Sequence, residues 1–393
     1  MTFHIDATKL RVFRKFSKEE RNCSFLSKTR FIVLEHLLPT TQEMLKLLRE
    51  AGAEIFAVVG KPYSIDEKVL SELRQERYNL ILESYEKLES TSILKDLVQS
   101  ALKKCTKDKR RLVILDVGGY FAKPLMELSA KNSLTSHFAG VVEDTTFGHN
   151  RYFELASKIT TPIYSVARSA LKEIEARFVG RDAVKAVDLL LRKVGVSLAG
   201  RKALVIGYGM IGRNVARTLK SYDMQVHVYD KLDTRNLEAF VDGFAIHQKK
   251  ELLKRCDVIF SATGDPNGAL SIDELFETRP GVALVSVGSK NTEFDIKGLR
   301  SQAINSTGEK VGEEIIRYYT NHSRQILVLR DGTAVNFYLP SIPIEVLDLV
   351  FAEILLCVMH LLKKPNLEVG RLLQLDEKLL QPIAHDWLRF VNS

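Results

Sequence analysis

Cysteine is scarce in this sequence. The four in 393 residues, Cys23, Cys105, Cys256 and Cys357, are widely scattered and form no CxxC pair. That spacing excludes a disulfide scaffold and fits reduced, mostly buried thiols in a cytoplasmic protein. No metal site is expected. Uninterrupted apolar runs are also missing. The stretch MTFHIDATKLRVFRKF has no continuous apolar core, which argues against a signal peptide. The most apolar segment, IEVLDLVFAEILLCVMHLL at 344–362, is broken by Glu345, Asp348, Glu353 and His360. Isolated charges of that kind cost several kcal/mol in a bilayer, so a buried helix at a subunit interface is expected, with no membrane partner. The formal net charge is +8, yet the densest basic run, KKCTKDKRR at 103–111, has no aromatic residue interleaved for base stacking. It reads as a solvated helix end and loop, and no nucleic-acid partner is expected. Short-period repeats and low-complexity segments are absent.

What remains is a globular composition, 45% hydrophobic and 27% charged, in a chain long enough for two domains. The run 31–34 reads as a buried strand. Thr40 or Thr41 then caps a helix whose Met44, Leu45, Leu47, Leu48 and Ala51 share a face and which Gly52 stops. Strands are expected at 55–59, in LVILDVGG at 112–119 and at 139–142, giving an α/β domain. The pattern restarts near Leu198, with strands at 203–206, 258–262 and 282–287, and ILVLRDGTAVNF reads as a hairpin around Asp331-Gly332. The fold class expected is α/β, with two doubly wound Rossmann-like domains, a cleft between them and the long helix after 340 packing back on the first. The boundaries are 1–165 for the first domain, completed by 340–363; 166–194 for a hinge helix; 195–338 for the second domain; and 364–393 for a C-terminal tail.

The stretch GYGMIGRN carries Gly207, Gly209 and Gly212 in G-x-G-x-x-G spacing between an apolar strand and an amphipathic helix. Gly207 allows the tight turn, Gly209 lets a pyrophosphate approach the backbone, and Gly212 lets helix and strand pack closely. Met210 and Ile211 open the helix whose amides face the anion. Asp230, at the end of VHVYD, is placed to accept from a ribose diol and to repel a 2′-phosphate. NAD is therefore the expected cofactor, with Thr263 a further contact.

ILDVGG, GVVEDTTFG, the glycine motif, and the 326–337 segment with the helix after it resemble the S-adenosyl-L-homocysteine hydrolase family. The likeness runs from about Leu26 to Leu362. It implies tightly held NAD that oxidises a ribose 3′-hydroxyl to a ketone, whose acidified C4′ proton permits loss of the 5′ thioether before water adds and the ketone is reduced again. On the cofactor side it implies Thr145 and Thr146, with Phe147 in place of a third threonine, together with Gly288 and Asn336. On the substrate side it implies His36, Asp116 and Asp144. The family's catalytic lysine falls on Lys172 when the match is anchored on Gly180, and on Arg168 when it is anchored on Ser165-Val166.

Departures from the family are many. Val117 and Ala176 replace aspartates, Arg181 a cysteine and Ser289 a histidine, and another histidine falls near Ile342. Leu38, Thr40, Gly60 and Lys61 replace residues that grip adenine and homocysteine, and the family's C-terminal lysine and tyrosine have no clear counterpart. Each lost acid or base removes ~10²–10⁴-fold of rate. The expected function is thus NAD-dependent redox chemistry on a hydroxyl-bearing, nucleoside-like or anionic small molecule other than S-adenosyl-homocysteine. The alternatives are a silent protein in which NAD is structural or sensory, and an adenosylhomocysteinase proper. Lys172 reads as a base or polarising donor with a burial-lowered pKa, or as a surface lysine facing Glu175. His36 reads as a catalyst or a structural hydrogen-bonder. Lys61 and Arg181 either draw an anionic substrate or are solvated. A homo-oligomer, dimer or tetramer, is implied.

Overall fold

The computed structural model describes residues 9–90, 92–265, 267–288, 292–320, 324–339, 342–364 and 366–392. The chain divides into two units. One comprises the residues up to Glu175 and those from Pro343 on, and the other is Ala176–Ile342.

Among the described residues the first unit has seven parallel strands. These are β1 Thr29–Leu37, β2 Glu54–Ile65, β3 Leu80–Ile81, β4 Arg111–Asp116, β5 Phe138–Glu143, β6 Ile163–Ser165 and β15 Leu372–Leu373, in the order β15-β6-β5-β4-β1-β2-β3. β1 is apolar on both faces because helices cover both. Phe31 and Val33 join one core cluster, and Ile32 and Leu34 the other. From adjacent β1 and β4 the chain winds outward in opposite directions, so the carboxyl ends of these two strands form a switch point, where α/β sheets bind ligands.

The helix Pro39–Glu50 starts earlier than expected. Extended Leu38 precedes it, Pro39 takes a first-turn position, and Thr40 and Thr41 lie buried inside rather than capping it. The helix Ile344–Lys363 packs on β5 and on the helix Arg11–Lys18. Its Asp348 carboxylate accepts from the Val12 and Phe13 amides at 2.7 and 2.9 Å, which ties down the start of that second helix. Among the described residues no helix is long and apolar enough to cross a membrane. Residues 364–393 add more than a tail, supplying β15 and the helix Glu377–Asn392.

The second unit carries β7 Lys202–Ile206, β8 Gln225–Tyr229, β9 Ala245–Ile246, β10 Val258–Ser261, β11 Val282–Ser286, β12 Glu309–Gly312, β13 Ile315–Tyr319 and β14 Gln325–Leu329. Their order is β12-β13-β14-β11-β10-β7-β8-β9, with the switch point between β7 and β10. The hairpin expected around Asp331-Gly332 is not formed. β14 ends at Leu329, and Asp331 and Gly332 take positive φ (53° and 77°) in a 3-10 turn. A second such turn follows at Val335–Tyr338. The antiparallel partner of β14 is β13, which precedes it.

Candidate functional site: an NAD cradle and a buried acid–lysine cluster

In the second unit, Gly207 ends β7 with φ +90°, and a Cβ on it would lie 2.7 Å from the Ala262 carbonyl oxygen. A Cβ on Gly212 would collide with the Gly207 carbonyl, so the helix Met210–Lys220 leaves the turn at a distance only glycine permits. Gly209 differs, because the space where its Cβ would stand is open. It precedes a helix N-terminus that no side chain caps, so the amides of Met210, Ile211 and Gly212 lack intrahelical partners. Asp230 follows β8. Its carboxylate accepts from the Tyr208 amide at 2.7 Å and from the Leu232 amide at 2.9 Å, which aims it over the turn. Asn236, unnoticed in the sequence, clasps the Asp230 backbone by accepting from its N–H and donating to its C=O at 2.8 and 2.9 Å. An open glycine edge, uncapped amides and a fixed acid one strand away are the donor set a dinucleotide needs. The residues present fit NAD.

In the first unit a buried polar cluster occupies the carboxyl ends of the strands. Glu35 and His36 come from β1, Lys61 from β2, Asp116 from β4, Glu143 and Asp144 from the end of β5, and Lys172 and Glu175 from the helix Ala170–Lys193. Lys172 Nζ lies 2.9 Å from Asp144 Oδ1 and 2.6 Å from Glu175 Oε2, and all three side chains are 13% exposed or less. Burial alone would lower the Lys172 pKa, but Asp144 and Glu175 outweigh it and hold the ammonium well above its usual range. The free-base role is therefore corrected. The chain folds Lys172 between two carboxylates as a permanent cation and hydrogen-bond donor. Arg168, the other alignment, instead bonds Asn150 at an exposed position.

The sequence had counted Ala176 as a lost carboxylate. Glu175, one residue earlier, supplies one to Lys172. Glu353, on the helix Ile344–Lys363, adds another by accepting from Ser169 Oγ at 2.6 Å, while that oxygen accepts from the Lys172 amide at 3.0 Å. Burial pushes Glu353 up to about 7 and, aided by nearby Asp144, Glu35 up to about 8. Both therefore hold protons near neutrality. His36, half-buried and facing Lys61 and Lys172, stays neutral, its pKa held well below the usual range by desolvation and the two cations, and its Nδ1 hydrogen-bonds Ser64 Oγ.

Asp116 accepts from the Tyr120 and Phe121 amides and from the Tyr152 hydroxyl, at 3.2, 2.9 and 2.8 Å. Glu143 accepts from the Gly118, Gly119 and Thr145 amides. Both carboxyls are raised by burial. They order the Gly118-Gly119 loop, where both glycines take positive φ. Val117 is buried in an apolar cluster and offers no polar side-chain atom.

Several expected residues have other tasks. The Thr145 hydroxyl donates to Glu143 and caps the helix Thr146–Leu155 by accepting from Gly148, and Thr146 opens that helix. The Thr263 hydroxyl donates to Glu293. Asn336 is half-buried in the second 3-10 turn, and Gly288 follows β11. Lys61 is 1% exposed, donates to the Val117 carbonyl at 3.1 Å, and is lowered to about 8 by burial, so the solvated reading fails for it. Arg181 is exposed and stacks on Phe178. Ser289 lies outside the described residues.

Taken with its glycine turn, the second unit defines an NAD-binding protein of doubly wound α/β class. Residues 178–341 match the family described as S-adenosyl-L-homocysteine hydrolase, NAD binding domain. The adenosylhomocysteinase of Sulfolobus acidocaldarius is 29% identical over 331 residues, 84% of this chain and 76% of the relative. That of Thermotoga maritima is 24% identical over 352 residues, 89% of this chain and 84% of the relative. The second unit thus carries the NAD-binding domain of the S-adenosyl-L-homocysteine hydrolase family, and most of the chain is similar to adenosylhomocysteinases. A solved D-3-phosphoglycerate dehydrogenase oxidoreductase from Ralstonia solanacearum shares the fold, with a TM-score of 0.52, 13% identity, and coverage of 87% of this chain and 97% of that one.

Proposed function

We propose that this protein is an NAD-dependent enzyme acting on a hydroxyl-bearing small molecule other than S-adenosyl-homocysteine. The observation that carries the reading is the Asp144–Lys172–Glu175 unit, a buried cation between two carboxylates at the carboxyl ends of the strands of a sheet whose switch point suits a ligand. Such a unit takes the proton of a substrate hydroxyl on a carboxylate while the lysine steadies the negative oxygen. Bound NAD supplies a hydride acceptor and can return the hydride. Glu35 and Glu353, protonated near neutral pH, supply acid groups beside the same unit. The substrate side differs from the family pattern through Val117, Leu38 and Thr40, which offer no carboxylate, and through buried Lys61, which brings a donor.

A second reading, adenosylhomocysteinase activity itself, is favoured by Glu175, which restores a carboxylate the sequence seemed to lack. One experiment separates the two. NAD-loaded protein is mixed in a single turnover with S-adenosyl-homocysteine and with a panel of nucleosides and hydroxy acids, reading NADH absorbance and thiol release. The proposal expects NADH from a panel member, lost in Lys172→Met with NAD still bound, and no thiol. Sustained thiol release from S-adenosyl-homocysteine supports the second reading, and no NADH with any compound refutes the redox role.

A further inference from the structure

Glu293 is a buried carboxylate, 2% exposed, that neither the sequence motifs nor the reaction chemistry above uses. It stands in the second unit beyond β11, yet its partners all come from the end of β10 and the loop after it. Oε2 accepts from Ser261 Oγ at 2.5 Å and from Thr263 Oγ1 at 2.7 Å, while Oε1 accepts from the Thr263 and Gly264 amides, each at 3.1 Å. The Glu293 carbonyl in turn accepts from the Ala269 and Leu270 amides at 2.9 and 3.2 Å, closing the far side of the loop. A Cβ on Gly288 would strike the same carboxylate, so glycine there leaves room for it. The clamped segment also touches the phosphate turn, because a Cβ on Gly207 would lie 2.7 Å from the Ala262 carbonyl oxygen and 3.2 Å from Thr263 Cα.

The direction of the dinucleotide follows from the sheet. Asp230 at the end of β8 would hold the adenosine ribose and the turn after β7 the pyrophosphate, which leaves the ends of β10 and β11 for the nicotinamide half. We infer that Glu293 is a positioning residue, whose carboxylate holds the Thr263-Gly264 loop in the shape that seats the nicotinamide half of NAD. The clamp depends on reach and hydrogen bonding rather than on charge. A glutamine has the same length, accepts from both amides through its oxygen, and donates to the two hydroxyls, which can rotate to accept. An aspartate keeps the charge but withdraws it from the loop, leaving buried amides unpaired.

The test measures the affinity of the purified full-length protein, freed of nucleotide, for NAD and for AMP in the wild type, Glu293→Gln and Glu293→Asp. Glu293→Gln is expected to bind NAD within about threefold of the wild type, and Glu293→Asp to bind it about tenfold or more weakly. AMP affinity is expected to stay within about threefold in both. Three outcomes overturn the inference. Glu293→Asp binds NAD normally; NAD and AMP affinity fall together, which marks a general structural role; or Glu293→Gln loses NAD while Glu293→Asp keeps it, which marks a charge effect on the cationic ring.

Discussion

Replacing Lys172 by methionine removes the ammonium that stands 2.9 Å from Asp144 and 2.6 Å from Glu175, while preserving most of the side-chain volume. All three side chains are 13% exposed or less, so solvent screens little of the loss. Breaking a buried ion pair by deleting one partner costs about 3–5 kcal/mol, because the other charge is left buried and unpaired. At roughly 2–4 °C per kcal/mol for a unit of this size, the melting temperature of the first unit drops by on the order of 10 °C. The sign with pH is fixed. Burial already raises the Glu175 carboxyl, and without Lys172 it rises further, so the folded variant binds protons the unfolded chain has released. The deficit is therefore large near about pH 8 and shrinks toward about pH 5, as the unpaired carboxyls of the folded variant take up protons. Calorimetry of the wild type and variant across that range reads it directly. In Lys172→Met/Glu175→Gln the combined loss is less than the sum of the single losses, by about 1–3 kcal/mol. A deficit independent of pH, or additive losses, refutes the charge argument and leaves Lys172 a packing residue.

Gly212→Ala places a methyl group against the Gly207 carbonyl, and isothermal titration is expected to show NAD binding lost while the first unit melts unchanged. Asp230→Ala removes the acid fixed by the Tyr208 and Leu232 amides. It is expected to weaken NAD about tenfold and narrow the preference over NADP, read by competitive titration. The wild-type first unit is expected to lose stability as pH rises from about 5 to about 8. Glu35 and Glu353, raised by burial to about 8 and about 7, keep their protons in the folded state well above the carboxylate range of the unfolded chain. Glu353→Gln flattens that slope up to about pH 7 in urea titrations, and an unchanged slope removes Glu353 from the account.

The cofactor cradle was legible because its signals are local. Three glycines, a strand and an acid 18 residues past the last glycine occupy one contiguous stretch, and each has a steric or electrostatic reason that needs no distant partner. The short continuous apolar run in β1 and the long apolar run at 344–362 were readable on the same terms. The acid–lysine cluster was legible only in part: the family resemblance pointed to His36, Asp116, Asp144 and Lys172, but Glu35, Glu143, Glu175 and Glu353 were not assigned to it, because its members come from strand ends and helices far apart in sequence. Glu175 looked like an ordinary surface partner for Lys172, and only the fold shows it buried and matched by Asp144 from another element. Glu353 and Asp348 read as interruptions of an apolar helix. Both are in fact buried polar anchors, one to Ser169 and one to the Val12 and Phe13 amides. The hairpin at 331–332 failed because Asp-Gly is a turn signal in two settings, and here positive φ at both residues leads into 3-10 turns instead of a returning strand.

We propose above all that this chain holds NAD as a working redox cofactor. The most direct measurement is the NAD and NADH released when the freshly purified protein is denatured, quantified by mass spectrometry against protein concentration. The account predicts nucleotide approaching one per chain, part of it NADH, with the NADH fraction falling in Lys172→Met while the total is kept. A protein that releases no nucleotide, and binds none on titration, would contradict it.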